Sequence, residues 1–449
     1  MNGMLTVFRN AWVDTQLRKK ILYTLFIIIL FRLGSNIFVP FLDNNGIATM
    51  MSGASLLNYL DVMTGGSLGK GTLLAMSITP YINASIIIQL LTVAIPPLEK
   101  LSKEGDEGRK KINTITKITS LVIAVLQATA FYFTLRNGNN TDGSHTPILK
   151  YGDIYDTTSD TFSIVLTAIT IIACFVAGAS LIIWLGDRIN DKGIGNGISM
   201  ILFAGIISNV PSAINYFIQL CSGEGNMANI IYVVIILIIF IAMVWFVIFM
   251  TNAERRIPVQ YAKRVVGRKM YGGQSTHIPI KVAMSGVMPI IFAMSLMSLP
   301  QTICYFFGVD GTGEGFWDGF VRVFSQSSPV YAVIYFLLII AFNYFYVSIS
   351  YNPVEIANNL KQNNGAIPGY RPGKPTSDFI YNSLNKITLI GAIFLGFIAI
   401  FPIIFSLCTG LTGVSLGGTT ILIVVGVALE TVRSLESQIM MRHHPGFLD

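Results

Sequence analysis

Charge is what this sequence has least of. Only 12% of its 449 residues are Asp, Glu, Lys or Arg, while 53% are hydrophobic; an ordinary soluble domain is about 25% charged. Too few polar side chains remain to cover a water-soluble globule, so lipid must solvate much of the surface. Cysteine is equally sparse. Cys174, Cys221, Cys304 and Cys408 are scattered, mostly in apolar stretches, with no paired framework and no metal-ligand spacing, and read as small packing residues. The four histidines, His145, His277, His443 and His444, fall in loops or the tail. No H-E-x-x-H, no Walker-type phosphate loop and no aspartate pair within an apolar run occurs, so hydrolysis, nucleotide-driven work and metal binding lack a constellation. No enzyme activity, cofactor or metal is expected.

What the sequence does have is long apolar runs. A helix needs about 20 apolar residues to cross the hydrocarbon core, and ten stretches qualify: 21–39, 73–95, 113–135, 162–186, 196–218, 228–250, 283–307, 329–350, 387–408 and 418–436. Backbone groups in lipid must bond within their own segment, which makes these stretches helices. The first has Arg32 inside it and no small-residue cleavage site behind it, so it reads as a retained span and not a signal peptide. With the N-terminus inside, one face collects Arg18, Lys19 and Lys20, then Lys100, Arg109, Lys110, Lys111 and Lys117, then the basic stretches of 252–281 and 352–386. The opposite face holds only Lys70, Arg136, Lys150 and Arg322. The positive-inside rule therefore puts both termini in the cytoplasm, and the net charge of +7 is mostly topology.

Ten spans divide as five plus five, and an odd number per half implies inverted halves. These are 1–218 and 228–449, joined by an external hinge loop, 219–227, whose glycines suit that role. Between the first two spans, Ser55 to Met63 is apolar but too short to cross, and the glycine stretch Gly65 to Gly71 tethers it. It reads either as a re-entrant, movable stopper or as an interfacial helix on the outer leaflet. The same glycines match G-x-S-x-G, but a nucleophile elbow needs a strand before it and a helix after it. Within the spans the ionisable residues that stand out are Arg32, Glu430 and Arg433. Midplane carboxylates, which a proton- or sodium-coupled transporter usually keeps, are missing, which weighs against that rival class. Two inner loops are oversized for connectors. Residues 252–281 alternate basic, polar and apolar side chains, and Ile367 to Lys374 form a stiff Pro/Gly turn presenting Arg371. Both suit docking of a cytosolic partner.

Several segments together resemble the SecY/Sec61-alpha family, the central subunits of the Sec translocon. They are Ser77-Ile-Thr-Pro-Tyr-Ile-Asn83 onward in the second span, Gly105-Asp-Glu-Gly-Arg-Lys-Lys111, Gly193-Ile-Gly-Asn-Gly-Ile-Ser199, and Arg255-Arg256 with Tyr261-Ala-Lys-Arg264 and Gln274-Ser-Thr-His277. Pro368-Gly-Tyr-Arg-Pro-Gly373 and Gly417-Gly-Thr-Thr420 complete the set. The motifs run in family order along nearly the whole chain.

The resemblance implies an all-α polytopic membrane protein: ten transmembrane helices in two inverted halves around an hourglass pore, with a lateral gate between spans two and seven. It implies a pore ring of Ile78, Ile82, Ile198, Leu202, Ile291 and Ile423. The plug, about 55–71, would carry Leu56, Leu57, Tyr59, Leu60, Val62 and Met63. Asn83 and Gln127 would flank the lateral gate, and Arg255, Arg256, Lys263, Arg264 and Arg371 would serve a motor or the ribosome. It also implies a cytoplasmic-membrane protein that passes unfolded secretory chains across and releases membrane segments sideways. Its partners would be the small subunits SecE and SecG, the motor ATPase SecA, the ribosome, substrates with signal sequences, and the lipid bilayer. The external loop from Asn137 to Asp160 matches no family motif.

Overall fold

The computed structural model describes residues 12–43, 46–47, 61, 64–137, 148–151, 160–212, 214–215, 218, 226–261, 264–266, 269–271, 275–306, 315–324, 328–409 and 418–442. Its first helix, α1 (Thr15–Gly34), starts where the Asp14 carboxylate accepts from the Gln16 N–H at 2.9 Å, satisfying one of the donors that a helix start leaves free. It stops at Gly34 and not at residue 39, because the chain turns to pair with the glycine stretch. The Leu73 N–H donates to the Ile37 carbonyl at 2.8 Å, and the Val39 N–H to the Gly71 carbonyl at 3.0 Å. The second expected span is shortened for the same reason. Residues 73–78 are turns, Ser77 has φ +47°, and α2 (Thr79–Ala94) begins only with Pro80 in its first turn. Ile95, extended ahead of Pro96, ends α2. The chain then bends by 105° into α3 (Pro96–Lys103).

Two long helices follow, α4 (Asp106–Asn137) and α5 (Thr161–Lys192), linked by a 2.7 Å ion pair between Lys117 and Asp187. Asn196 then caps α6 (Gly197–Ile207), accepting from the N–H groups of Ile198 and Ser199. The expected fifth span is therefore a shorter apolar helix than the run of residues implied. The second half of the chain contributes α7 (Asn226–Asn252), α8 (Met288–Phe306), the short α9 (Phe316–Val323) and α10 (Pro329–Ser350). It continues with α11 (Pro353–Gln362), α12 (Lys374–Thr409) and α13 (Gly418–Arg442). Among the described residues five helices are long and apolar enough to cross a membrane, and the bent α2–α3 pair makes six if counted as one span. The apolar parts of α6 and α8 are shorter.

Strands appear between α7 and α8, where the sequence showed only an oversized loop. β1 (Glu254–Tyr261) pairs antiparallel with β4 (Ser275–Lys281), from Glu254 opposite Lys281 to Gln260 opposite Ser275. β2 (Arg264–Val266) and β3 (Lys269–Tyr271) form a separate hairpin. Along β1 the alternation noted in the sequence has period two, with Ile257 and Val259 buried between exposed neighbours. A third strand, β5 (Gly365–Ala366), arrives from the other large loop and pairs with the opposite edge of β1, Gln260 opposite Ala366. Ile257, Val259 and Ile280 pack with Leu360, Ile367 and Ile380 beneath this sheet, so the two loops share one core.

The apolar packing of the helices falls into separate clusters. One draws on α4, α5 and the segments after α1, and another on α1, α5 and α6. A third joins α7, α8, α10, α12 and α13. Contact between the first and second halves of the chain runs through α2 and α4 against α8, and through α6 against α13.

Candidate functional site

Where α2, α6, α8 and α13 meet, one cluster takes side chains from both halves. Ile206, Ile291, Ile423 and Val427 are its buried members, with Ile82, Met200 and Phe203 packed against them. The sequence-expected ring divides over this joint. Ile82, Ile291 and Ile423 are brought together here. Ile78 and Leu202 are buried instead in the cluster with Ile27, Phe31 and Ile182, and Ile198 packs against that same cluster. The reason is the helical period of α6. Ile198, Ile201 and Leu202 form the stripe turned to α1 and α5, Phe203 and Ile206 the one turned to α8 and α13, and Met200, like Ile82, packs against both clusters. A helix that is apolar all round carries no sequence signal for which stripe faces which neighbour. A hydroxyl lies at the edge of the joint: Thr431 Oγ1 donates to the Val427 carbonyl at 2.7 Å and is 3.4 Å from Met200 Sδ.

Asn83 and Gln127, expected beside a gate, sit on α2 and α4, both of which touch α8. Asn83 is buried. The Gln127 side-chain oxygen is buried with no hydrogen-bond partner among the described residues, an arrangement that normally costs about 1–3 kcal/mol. The expected plug residues Leu56, Leu57, Tyr59, Leu60, Val62 and Met63 lie outside the described residues. Their tether is described. Gly65, at φ +73°, offers its carbonyl to Arg32 Nη1 at 3.3 Å and to Ser208 Oγ at 3.4 Å. A Cβ on Gly65 would come within 2.7 Å of Ser208 Oγ and 2.8 Å of the Gly205 carbonyl oxygen, so only glycine fits there. Arg32 thus holds the turn to α1, and α6 closes it from the other side. Ser67, the serine of the G-x-S-x-G match, is buried in this turn, and among the described residues no strand leads into it.

Of the expected docking residues, Arg255 and Arg256 are exposed on β1, and Arg256 Nε is 2.8 Å from Glu254 Oε1. Lys263 lies outside the described residues, and Arg264 is described in its backbone only. Arg371 is exposed on a turn that Gly369 and Gly373 make possible at φ +88° and +109°. Tyr370 stacks on Phe379 with ring centroids 4.3 Å apart, and Thr376 Oγ1 donates to the Arg371 carbonyl at 2.8 Å. At the base of the sheet, burial lowers the pKa of the Lys281 ammonium, nearby Arg433 lowers it further, and Glu254 offsets part of the shift.

The family model for SecY matches residues 72–432. The chain belongs to the SecY family. The "Protein translocase subunit SecY" of Streptomyces galbus is 41% identical over 452 residues, covering 99% of this chain and all of the relative. That of Mycobacterium bovis is 40% identical over 459 residues, with the same coverage. The fold agrees with a solved structure described as a protein-conducting channel, at a TM-score of 0.65 with 18% identity, covering 97% of this chain and 96% of the other. Canine Sec61 in a ribosome–channel complex matches at 0.64 with 18% identity and the same coverage.

Within a SecY-family chain, two features of the site have no sequence motif behind them. One is the Gly65 carbonyl shared by Arg32 and Ser208, which could be approached only through the glycine stretch and the lone arginine. The other is the end of α7. Arg433 Nη2 donates to the Thr251 carbonyl at 3.2 Å and to Asn252 Oδ1 at 2.7 Å, so the arginine flagged in the last span caps a helix from the sixth. Glu430, its i−3 neighbour, is exposed.

Proposed function

We propose that this chain is the pore subunit of a protein-conducting channel in the cytoplasmic membrane, passing unfolded secretory chains across it and releasing apolar segments sideways into lipid. The observation that carries the reading is the joint itself. Aliphatic side chains from four helices, two in each half of the chain, pack into one cluster, and a SecY-family chain has reason to gather them there. A channel for unfolded polypeptide must block ions when empty and bind no sequence tightly when full. An aliphatic constriction meets both needs, because it dewets when empty and offers only non-directional contact when filled.

The constriction in this proposal is Ile82, Met200, Phe203, Ile206, Ile291 and Ile423; Ile78, Ile198 and Leu202 back it from inside the first half. Ten spans in two inverted halves, 1–218 and 228–449, surround it, with the hinge at 219–227 and the plug at about 55–71. The seam between α2 and α8 is the lateral gate, and Asn83 and Gln127 are its polar neighbours. Both termini and the β1–β4–β5 sheet face the cytosol. There Arg255, Arg256, Lys263, Arg264 and Arg371 present cations to SecA or to the ribosome, a role supported by the exposure of Arg255 and Arg371 and by the rigid turn under the latter. Canine Sec61, which shares the fold, is described in complex with a ribosome. SecE and SecG complete the membrane assembly.

The test is planar-bilayer conductance of the purified complex. Ile291→Asn puts an amide into a dry seal and stabilises water there, so ion leak should rise while export of normal substrates continues. Ile238, 59% exposed on α7, is the lipid-facing control, and Ile238→Asn should change insertion or stability without conductance. Equal conductance from wild type and Ile291→Asn would remove the constriction from this joint.

A further inference from the structure

A different face of α8 from the one that carries Ile291 borders a cavity of about 390 Å³. Three stripes at helical spacing wall it: Leu296 and Pro300 from α8, Trp317 and Phe320 from α9, Ile334 and Leu338 from α10. Cys304 also lines it. Apart from its thiol, the weakly accepting Met297 thioether and the Trp317 indole N–H, no lining side chain can donate or accept a hydrogen bond. Pockets for small molecules usually add a few placed polar groups that orient the ligand. This one offers shape and dryness alone.

The surroundings say what fills it. α9 is a short amphipathic helix whose Phe316 and Trp317 are 82% and 60% exposed, and it carries Asp318 and Arg322 beside them. Exposed aromatic rings next to charges on a helix of this kind mark the boundary between membrane and water. The cavity lies against the ring-bearing side of α9, and its rim runs into surface that faces lipid. On α10, Val333 and Leu337 are more than half exposed next to the lining residues Ile334 and Leu338, and Ile303 on α8 is 55% exposed. At that depth the abundant apolar molecule is the acyl chain. Bare apolar walls would forfeit dispersion contacts, and the groove, open on the side where Ile303 is exposed, has a volume within the range of about 300–1,000 Å³ found for ligand sites.

We propose that this cavity is a binding site for one acyl chain of a membrane phospholipid, held between α8 and α10 beneath α9. The proposal rests on the chain being a multi-pass membrane protein and is independent of the pore assignment. It differs from ordinary annular lipid in occupying a concave groove walled by three elements and open on one side, and not one convex face.

Photolabelling of the full complex tests it, with a phosphatidylglycerol carrying a diazirine midway along one acyl chain, reconstituted in vesicles of unlabelled phospholipid. Adducts mapped by mass spectrometry should fall on Leu338, Ile334 and Cys304 in several-fold excess over Leu337 and Val333, the neighbours on α10 that face open lipid. Leu338→Phe and Ile334→Phe fill the cavity, and each should cut the cavity adducts several-fold while Leu337 and Val333 label as before. Equal labelling of Leu337 and Leu338 means annular lipid only and overturns the proposal. So does cavity labelling that survives both filling variants. If a variant fails to insert, the wild-type ratio alone decides. Export by both variants should match wild type, so a negative labelling result would leave the pore reading standing.

Discussion

Three polar side chains bear on the local energetics of the helices. Arg32 is tied to the Gly65 carbonyl, Arg433 caps the end of α7, and the Gln127 oxygen is left buried without a partner among the described residues. The first two donate to backbone oxygens in an apolar setting, the Gly65 carbonyl being shared with Ser208. The third is a standing cost to the arrangement described here. Gln127→Leu removes it, and the variant should be more stable by about 1–3 kcal/mol, read as a higher midpoint of thermal unfolding in detergent. If Gln127 borders the seam that must part, the same change should slow export by favouring the closed arrangement. A lower unfolding midpoint would mean that the amide has a partner in the membrane and is stabilising.

Among the elements, the sheet formed by β1, β4 and β5 is the least foreseeable. It joins two loops about a hundred residues apart in the chain, through only two paired positions on the β5 side. Opposed residues in an antiparallel pair have Cα atoms about 4.5–5.5 Å apart, within the span that a disulfide bridges. Gln260→Cys with Ala366→Cys, with the four native cysteines replaced by alanine, should therefore crosslink readily on mild oxidation. Gly365 controls the fit. A Cβ there would meet Tyr261 Cε1 at 3.0 Å and Leu360 Cδ2 at 3.3 Å, so Gly365→Val overpacks the site, which typically costs about 1–3 kcal/mol. It should lower the crosslinked fraction several-fold, as measured on non-reducing gels. Efficient crosslinking in the presence of Gly365→Val would mean that the pairing does not depend on this close approach. The sheet ties the Arg371 turn to the strand that bears Arg255 and Arg256, so a partner docked on one loop also loads the other.

Across the whole molecule, α13 and α8 hold the halves together. Besides the share of α13 in the central joint, Leu435 and Ile439 pack with Ile21 and Ile194, and Lys20 Nζ donates to Gln438 Oε1 at 3.2 Å. At the other end of the bundle, the chain after α1 pairs with a piece of the loop between α4 and α5. Leu42 bridges Leu149, the Asp43 N–H donates to the Ile148 carbonyl at 2.8 Å, and the Lys150 N–H to the Phe41 carbonyl at 3.1 Å. The loop that matched no motif therefore supplies part of the cap over this end, with Ile148 and Leu149 buried in it. The proposed orientation, argued from the charge bias, puts that cap outside and the sheet in the cytosol. Lys150→Cys and Arg371→Cys, each alone in a cysteine-free chain, should separate the two ends on intact cells. An impermeant maleimide should label the first and spare the second, and the reverse pattern would invert the proposed orientation.

Much of this was legible before any coordinates. Low charge and recurrent apolar runs specify a multi-pass membrane protein, because each run must close its own hydrogen bonds in lipid. Ordered motifs over nearly the full length carry the family. Asp14, Asn196, Asn352 and the prolines at 80, 96, 329 and 353 mark helix starts whose chemistry is local. The rest depends on partners distant in sequence. Gly34 and Pro40 hint that α1 ends early, but the pairing of residues 37–39 with 71–73 that fixes the end lies outside the run. Which stripe of α6 meets the joint is undecided by a helix apolar on every side, since lipid and protein core select the same residue types. The pairing of β5 with β1, and the meeting of Arg32 and Ser208 on one carbonyl, are long-range contacts that exist only once the helices between them have packed.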